Sequence, residues 1–168
     1  ESAKEGSEPA LSGRWEIGAK TRKIGCACDH GGYPRKEPIL NHLKEKGYEV
    51  LDFGTDSEDS CHYPAFALPA SEAIRDHKAD KGIFVCSSGE GVARAANKVQ
   101  GILAGIGYND EVSHLIVEHN HANVITFGAK FRTKEEILRR IDIFLASEPQ
   151  PGRHDIRVAR MRDYEKTH

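Results

Sequence analysis

From residue 23 onward the chain alternates short apolar runs with longer stretches in which apolar positions recur every three or four residues. Ile24-Gly25-Cys26-Ala27-Cys28 reads as a first strand. Residues 34–46 read as a helix with Pro34 in its first turn and Gly47 as its stop. Residues 48–53 form a second strand. Residues 64–77 form a second helix, with a kink predicted at Pro69. Residues 82–86 are apolar throughout, the pattern of a strand buried on both faces, and a helix-like stretch follows over 92–98. A fourth strand is predicted over 102–108. Asn109 or Asp110 then caps a helix that runs to about Glu118. Residues 124–127 make a fifth strand. Thr133, with Glu136 at the capping-box position, starts a helix over 134–146, and a last helix spans about 155–165.

Five strands alternating with helices predict a parallel sheet covered on both faces. In such a sheet ligands bind beyond the carboxyl ends of the strands. Those ends are Asp29-His30, Gly54-Thr55, Cys86-Ser87-Ser88, Tyr108-Asn109 and Gly128-Ala129.

At 168 residues the chain is long enough for one domain with a real core, expected over 23–168. Residues 1–22 are polar, with Leu11, Trp15 and Ile17 as their bulky apolar residues, and are expected to be a flexible extension without a signal-peptide pattern. The 24 basic and 26 acidic residues give a net charge of −2, which removes any general pull toward nucleic acid or a membrane surface. No apolar run approaches the roughly 20 residues of a membrane helix. Four cysteines are too few for a disulfide scaffold in a chain this long and read as reduced thiols of a cytoplasmic protein.

The richest chemistry lies in Cys86-Ser87-Ser88-Gly89-Glu90-Gly91. A strand ends there in a thiol, a small glycine-rich turn follows, and a helix begins. Backbone N–H groups at such a turn can hold an anion, and the same field favours a thiolate. The structural alternative is a small buried hydrophobe, a common fate of free cysteine. Asp29 and His30 can bind hydroxyls, move protons or hold a phosphate, or Asp29 can simply cap the next turn. His119 and Asn120 can act on a proton and a hydroxyl, or serve as helix-terminal caps. Arg153 and Arg157, four residues apart on one helix face, can clamp one phosphate or form a solvated basic face. Cys26 and Cys28 point the same way from a strand. No second pair has zinc spacing, so no metal site is expected. Nucleotide-binding glycine fingerprints are missing, and no cofactor is expected.

In order, Cys28-Asp29-His30-Gly31-Gly32, Asp52-Phe53-Gly54-Thr55, Tyr63-Pro64, Cys86 to Gly91, Ala95-Ala96-Asn97-Lys98, His119-Asn120-His121-Ala122-Asn123 and Gly152-Arg153-His154-x-x-Arg157 resemble the type B ribose-5-phosphate isomerase family, which includes allose- and galactose-6-phosphate isomerases. The resemblance covers about residues 23–165. It implies a three-layer α/β/α, Rossmann-like sandwich on a five-stranded parallel sheet. It implies a homodimer, often paired into a tetramer, with each site built from both chains. It further implies metal-free aldose–ketose isomerisation, here of ribose 5-phosphate and ribulose 5-phosphate.

By that resemblance Cys86 is the base that moves a proton between C1 and C2 through a cis-enediolate, with Ser88 beside it. The backbone of Ser87, Gly89, Glu90 and Gly91 belongs to the enediolate hole. Asp29 handles protons on the substrate oxygens, His119 opens the sugar ring, and Asn120 binds a hydroxyl. His30, Arg153 and Arg157 are phosphate ligands. Three positions depart from the family. Val92 stands where one branch has a glutamate base, Glu90 where an apolar residue is usual, and Lys130 where many members place a phosphate-binding arginine. Another sugar phosphate as substrate, or a non-catalytic sugar-phosphate-binding subunit, are the alternatives.

Overall fold

The computed structural model of the chain describes residues 20–168. Most of the extension expected over 1–22 therefore lies outside the described residues. Its last residue, Arg22, donates its backbone N–H to Asp80 Oδ2 at 2.9 Å and leads straight into the first strand.

Five strands, β1 (Lys23–Cys28), β2 (Glu49–Asp52), β3 (Lys81–Cys86), β4 (Ala104–Ile106) and β5 (Val124–Gly128), form one parallel sheet in the order β2-β1-β3-β5-β4. Six α-helices connect and cover it: α1 (Lys36–Glu45), α2 (Pro64–Arg75), α3 (Glu90–Asn97), α4 (Asp110–Glu118), α5 (Lys134–Ala146) and α6 (Arg153–Thr167). The alternation of each strand divides the core in two. Ile24, Cys26, Ile83, Val85, Ile125 and Phe127 face α1, α4 and α5 through Ile39, Leu43, Ile116, Ile137, Ile141 and Phe144. Ala27, Phe84, Cys86 and Val124 face α2 and α3 through Ala67, Ala70, Ile74, Val92 and Ala96. The predicted three-layer α/β/α arrangement is the one observed.

Local differences from the predicted elements have physical causes. Pro34 lies in a 3-10 turn, Tyr33–Arg35, and the α-helix begins at Lys36, two residues after the predicted start. α2 runs through Pro69 without a break. β4 is much shorter than 102–108: its ladder with β5 runs only from Ala104 to Ile106, and side-chain amides bind the backbone at its start. Leu103 N–H donates to Asn123 Oδ1, and Ala104 N–H and C=O both bond the Asn97 amide, at 2.8 and 3.0 Å. Asn109, not Asp110, caps α4, its Oδ1 accepting from Val112 N–H at 2.7 Å.

The strand order reverses direction between β1 and β3. The chain leaves β1 toward β2 on one side and returns through α2 to β3 on the other. Such a switch point opens a crevice at the carboxyl ends of the strands, and here it is flanked by the turn after β1 and the turn after β3.

Candidate active site

Three turns meet at that crevice, and glycine lets them approach. A Cβ on Gly31 would collide with Ser87. One on Gly32 would collide with the Val85 carbonyl, and one on Gly128 would lie 2.6 Å from the Ser88 backbone. Ala129 and Lys130 donate backbone N–H bonds to the carbonyls of Cys86 and Ser87, at 2.9 and 3.1 Å. Asp29, His30, Cys86, Ser87, Ser88, Gly89, Glu90, Gly91 and Lys130 thus share one edge of one chain.

The turn after β3 is built around the thiol. Gly89 adopts φ +86, a left-handed conformation that favours glycine, and its N–H points at Cys86 Sγ 3.2 Å away. An N–H donor aimed at sulfur stabilises negative charge there. Thr126 Oγ1 donates to the Gly89 carbonyl at 2.9 Å and fixes the turn from below. Ser88 Oγ accepts from Glu90 N–H at 3.2 Å. Gly89 and Glu90 therefore spend their N–H groups within the turn, and anion binding falls to its remaining donors and to the start of α3. Glu90 turns its carboxylate outward, 3.5 Å from Arg94 Nε one helical turn on, both side chains being exposed. Its charge is thus paired on the outer face of α3.

Asp29 is buried at 6 % exposure, and one carboxylate oxygen, Oδ1, accepts the N–H groups of Gly31 and Gly32 at 2.9 and 3.1 Å. Oδ1 holds the turn, and Oδ2 takes no part in these two bonds. His30 Nδ1 accepts the Cys61 backbone N–H at 3.2 Å. In the neutral ring this puts the proton on Nε2, the donor a phosphate oxygen needs. Cys61 escapes a motif reading because its contribution is a backbone group. Tyr63, from the Tyr63-Pro64 motif, packs its ring against Gly91 so closely that a Cβ there would lie 2.9 Å from it. Arg35 holds the Lys130 loop by donating to the carbonyls of Ala129 and Arg132 at 3.3 and 3.0 Å.

The other sequence-predicted residues lie elsewhere. α4 runs antiparallel to the strands, so His119 and Asn120 emerge at the amino edge of the sheet. Gln150 N–H bonds the Glu118 carbonyl at 2.9 Å and brings the start of α6, with Arg153 and Arg157, beside them. His154 stacks on His119 with ring centroids 4.2 Å apart. β5 separates the two groups, since Val124 pairs with Gly82 and Gly128 with Cys86. At about 3.3 Å per residue the strand alone holds them about 13 Å apart. One chain carries both halves of the predicted site and cannot bring them together.

A cavity of about 770 Å³ also opens at the amino edge, lined by Lys23, Lys46, Lys81, His121 and Glu148 among others. It contains none of the turn residues around Cys86. Cys26 and Cys28 are buried in one core face, and burial pushes both thiols up, Cys28 to about 11, so they are packing groups. No group of three or more potential metal ligands gathers among the described residues.

A thiol with an N–H donor at its sulfur, a carboxylate and a histidine gather at the switch-point crevice of a parallel α/β sandwich, the class of protein that binds its ligands at this edge. The ribose/galactose isomerase family matches residues 24–161, and the chain belongs to that family. It is 37 % identical over 145 residues to a probable ribose-5-phosphate isomerase B of Mycoplasma genitalium, covering 85 % of this chain and 95 % of that one. It is 36 % identical to ribose-5-phosphate isomerase B of Escherichia coli, over 82 % of this chain and 92 % of that one. Among solved structures, ribose-5-phosphate isomerase B of Clostridium thermocellum superimposes with a TM-score of 0.85 at 41 % identity, over 86 % of this chain and 98 % of that one. The Mycoplasma genitalium enzyme with bound ribulose-5-phosphate does so with a TM-score of 0.84 at 34 % identity, over 89 % and 99 %.

Proposed function

We propose that this isomerase interconverts ribose 5-phosphate and ribulose 5-phosphate, with Cys86 as the base. The observation that carries the reading is the Gly89 N–H on Cys86 Sγ at the switch-point crevice. The thiolate takes the proton from C2 of the open-chain aldose and returns it to C1. Between the two steps the substrate is an enediolate, whose charge the N–H groups of the turn and of the α3 start stabilise. Asp29 Oδ2 moves the compensating proton between O2 and O1, so no proton is gained or lost. His30 and Lys130 meet the phosphate. Lysine supplies the charge without the paired donors of arginine.

His119, Asn120, Arg153 and Arg157 complete the site from a second copy of the chain. Two observations support this. Within one chain the two halves lie at opposite edges of the sheet. α6 buries only His154 and Val158 and exposes Ile156, Met161 and Tyr164 at 59 %, 47 % and 65 %, an apolar surface suited to a partner.

The test is Cys86→Ser assayed by proton NMR in D₂O on ribose 5-phosphate, with allose 6- and galactose 6-phosphate alongside. A hydroxyl is a far weaker base, so turnover falls by about 10²–10⁴ while the fold and ligand binding persist. Activity near that of the parent protein removes Cys86 from the role. Faster turnover of a hexose phosphate reassigns the substrate, and binding without deuterium uptake on any of the three leaves a non-catalytic sugar-phosphate-binding subunit.

A further inference from the structure

His119 is held from two sides by residues to which the reading above gives no task. Its Nε2 lies 3.5 Å from Glu118 Oε1. The other carboxylate oxygen, Glu118 Oε2, lies 3.4 Å from His114 Nε2, one turn back on α4. His114 is itself anchored: its Nδ1 is 2.8 Å from Ser147 Oγ, whose proton goes to the Ile143 carbonyl at 2.7 Å. On the opposite side His154 lies parallel to His119, with rings 4.2 Å apart and 10° between their planes. His154 is 6 % exposed, and its Nε2 is buried without a hydrogen-bond partner. Such a nitrogen costs stability, and no polar contact compensates it. What His154 offers is a flat face.

We infer that Glu118 and His154 are positioning residues that orient His119 for opening the sugar ring. The inference rests on the ring-opening role proposed for His119. The negative charge of Glu118 favours a proton over a lone pair on the nitrogen nearest it, so in the neutral ring Nε2 of His119 carries the proton and the lone pair sits on Nδ1. The stacked ring fixes the plane in which that lone pair points. Burial, and then the neighbouring charge of His119, holds His154 below the ordinary histidine range, so the stacked partner stays neutral. Nδ1 takes the proton of the anomeric hydroxyl. The bond from C1 to the ring oxygen breaks as C1=O1 forms, and the imidazolium passes its proton to the ring oxygen. Protons and electrons balance without a further reactant.

Ribulose 5-phosphate separates this step from the proton transfer at carbon. Its O5 carries the phosphate, so it has no hydroxyl with which to close a furanose and it enters the site open. Glu118→Gln, His154→Ala and His154→Phe are compared with the parent protein in two assays. One is turnover of ribose 5-phosphate; the other is exchange of the C1 proton of ribulose 5-phosphate with D₂O. Misplacement of a catalytic group by about 1 Å can cost 10²-fold. Glu118→Gln and His154→Ala are expected to lower ribose 5-phosphate turnover by about ten-fold or more, with exchange from ribulose 5-phosphate within about two-fold of the parent. His154→Phe, which restores a flat ring, recovers most of the loss. Equal losses in both assays, or no loss with His154→Ala, overturn the positioning role. A parent protein inactive in both assays overturns the sugar-phosphate reading itself, so the two failures are told apart.

Discussion

At the scale of single residues, the site depends on missing atoms as much as on present ones. Gly31 gives Ser87 the space it occupies, and alanine there pushes the Ser87 hydroxyl and backbone aside. Overpacking of this kind costs about 1–3 kcal/mol. Gly31→Ala is therefore expected to fold with a lowered melting temperature and to lose at least ten-fold in kcat, on the order of the loss a misplaced donor brings. Steady-state kinetics with a parallel melting curve checks this; unchanged kcat would show that the turn tolerates displacement.

His121 is the second residue-scale case. It sits at φ +55, is almost fully buried, and contacts Asp155 Oδ1 at 3.2 Å and the Gln150 carbonyl at 3.4 Å. Burial wins over these two acceptors, and its imidazole is held below the ordinary histidine range. The unfolded chain takes up this proton near pH 6.5, the folded chain only lower down. Stability is thus complete above about pH 7 and falls as pH drops through 6.5. Urea midpoints at pH 7.5 and 5.5 measure the fall. His121→Asn, which tolerates the left-handed backbone, is expected to shrink it; an identical fall in the variant places the effect elsewhere.

At the scale of elements, caps and punctuation were legible and strand lengths were not. Thr133 Oγ1 accepts from Glu136 N–H at 3.1 Å while Glu136 Oε1 accepts from Thr133 N–H at 2.8 Å, the reciprocal pair its spacing implies. Thr133→Ala is expected to cost about 1 kcal/mol and to lower the melting temperature by about 2–4 °C, with activity retained. Calorimetry and an activity assay decide it. The span of β4 was not legible because an apolar run marks burial and not the extent of ladder pairing, which here covers Ala104 to Ile106. Asp29, Cys86 and the switch-point edge could be read in sequence because each stands where a strand stops. Cys61 and Glu118 could not, since a backbone donor and a carboxylate beside a histidine have no signature in one dimension.

At the scale of the whole molecule, the two halves of the predicted site lie at opposite ends of the same strands. A dimer with shared sites makes a quantitative prediction. Cys86→Ser and His119→Ala each inactivate both sites of their own dimers. Unfolded and refolded together in equal amounts, they form mixed dimers in which one site has both intact residues. Half of the dimers are mixed and half of their sites work, so about a quarter of the parent activity returns. No recovery would mean that each chain completes its own site.

The Asn97 amide has a consequence for how copies can meet. It occupies the N–H and C=O of Ala104, which face away from β5 at the border of the sheet. A border strand with free groups is a template on which another chain can add and a fibre can grow. Here one side chain plays the part of the missing neighbour at that position, which disfavours strand-by-strand polymerisation and leaves assembly to the helices.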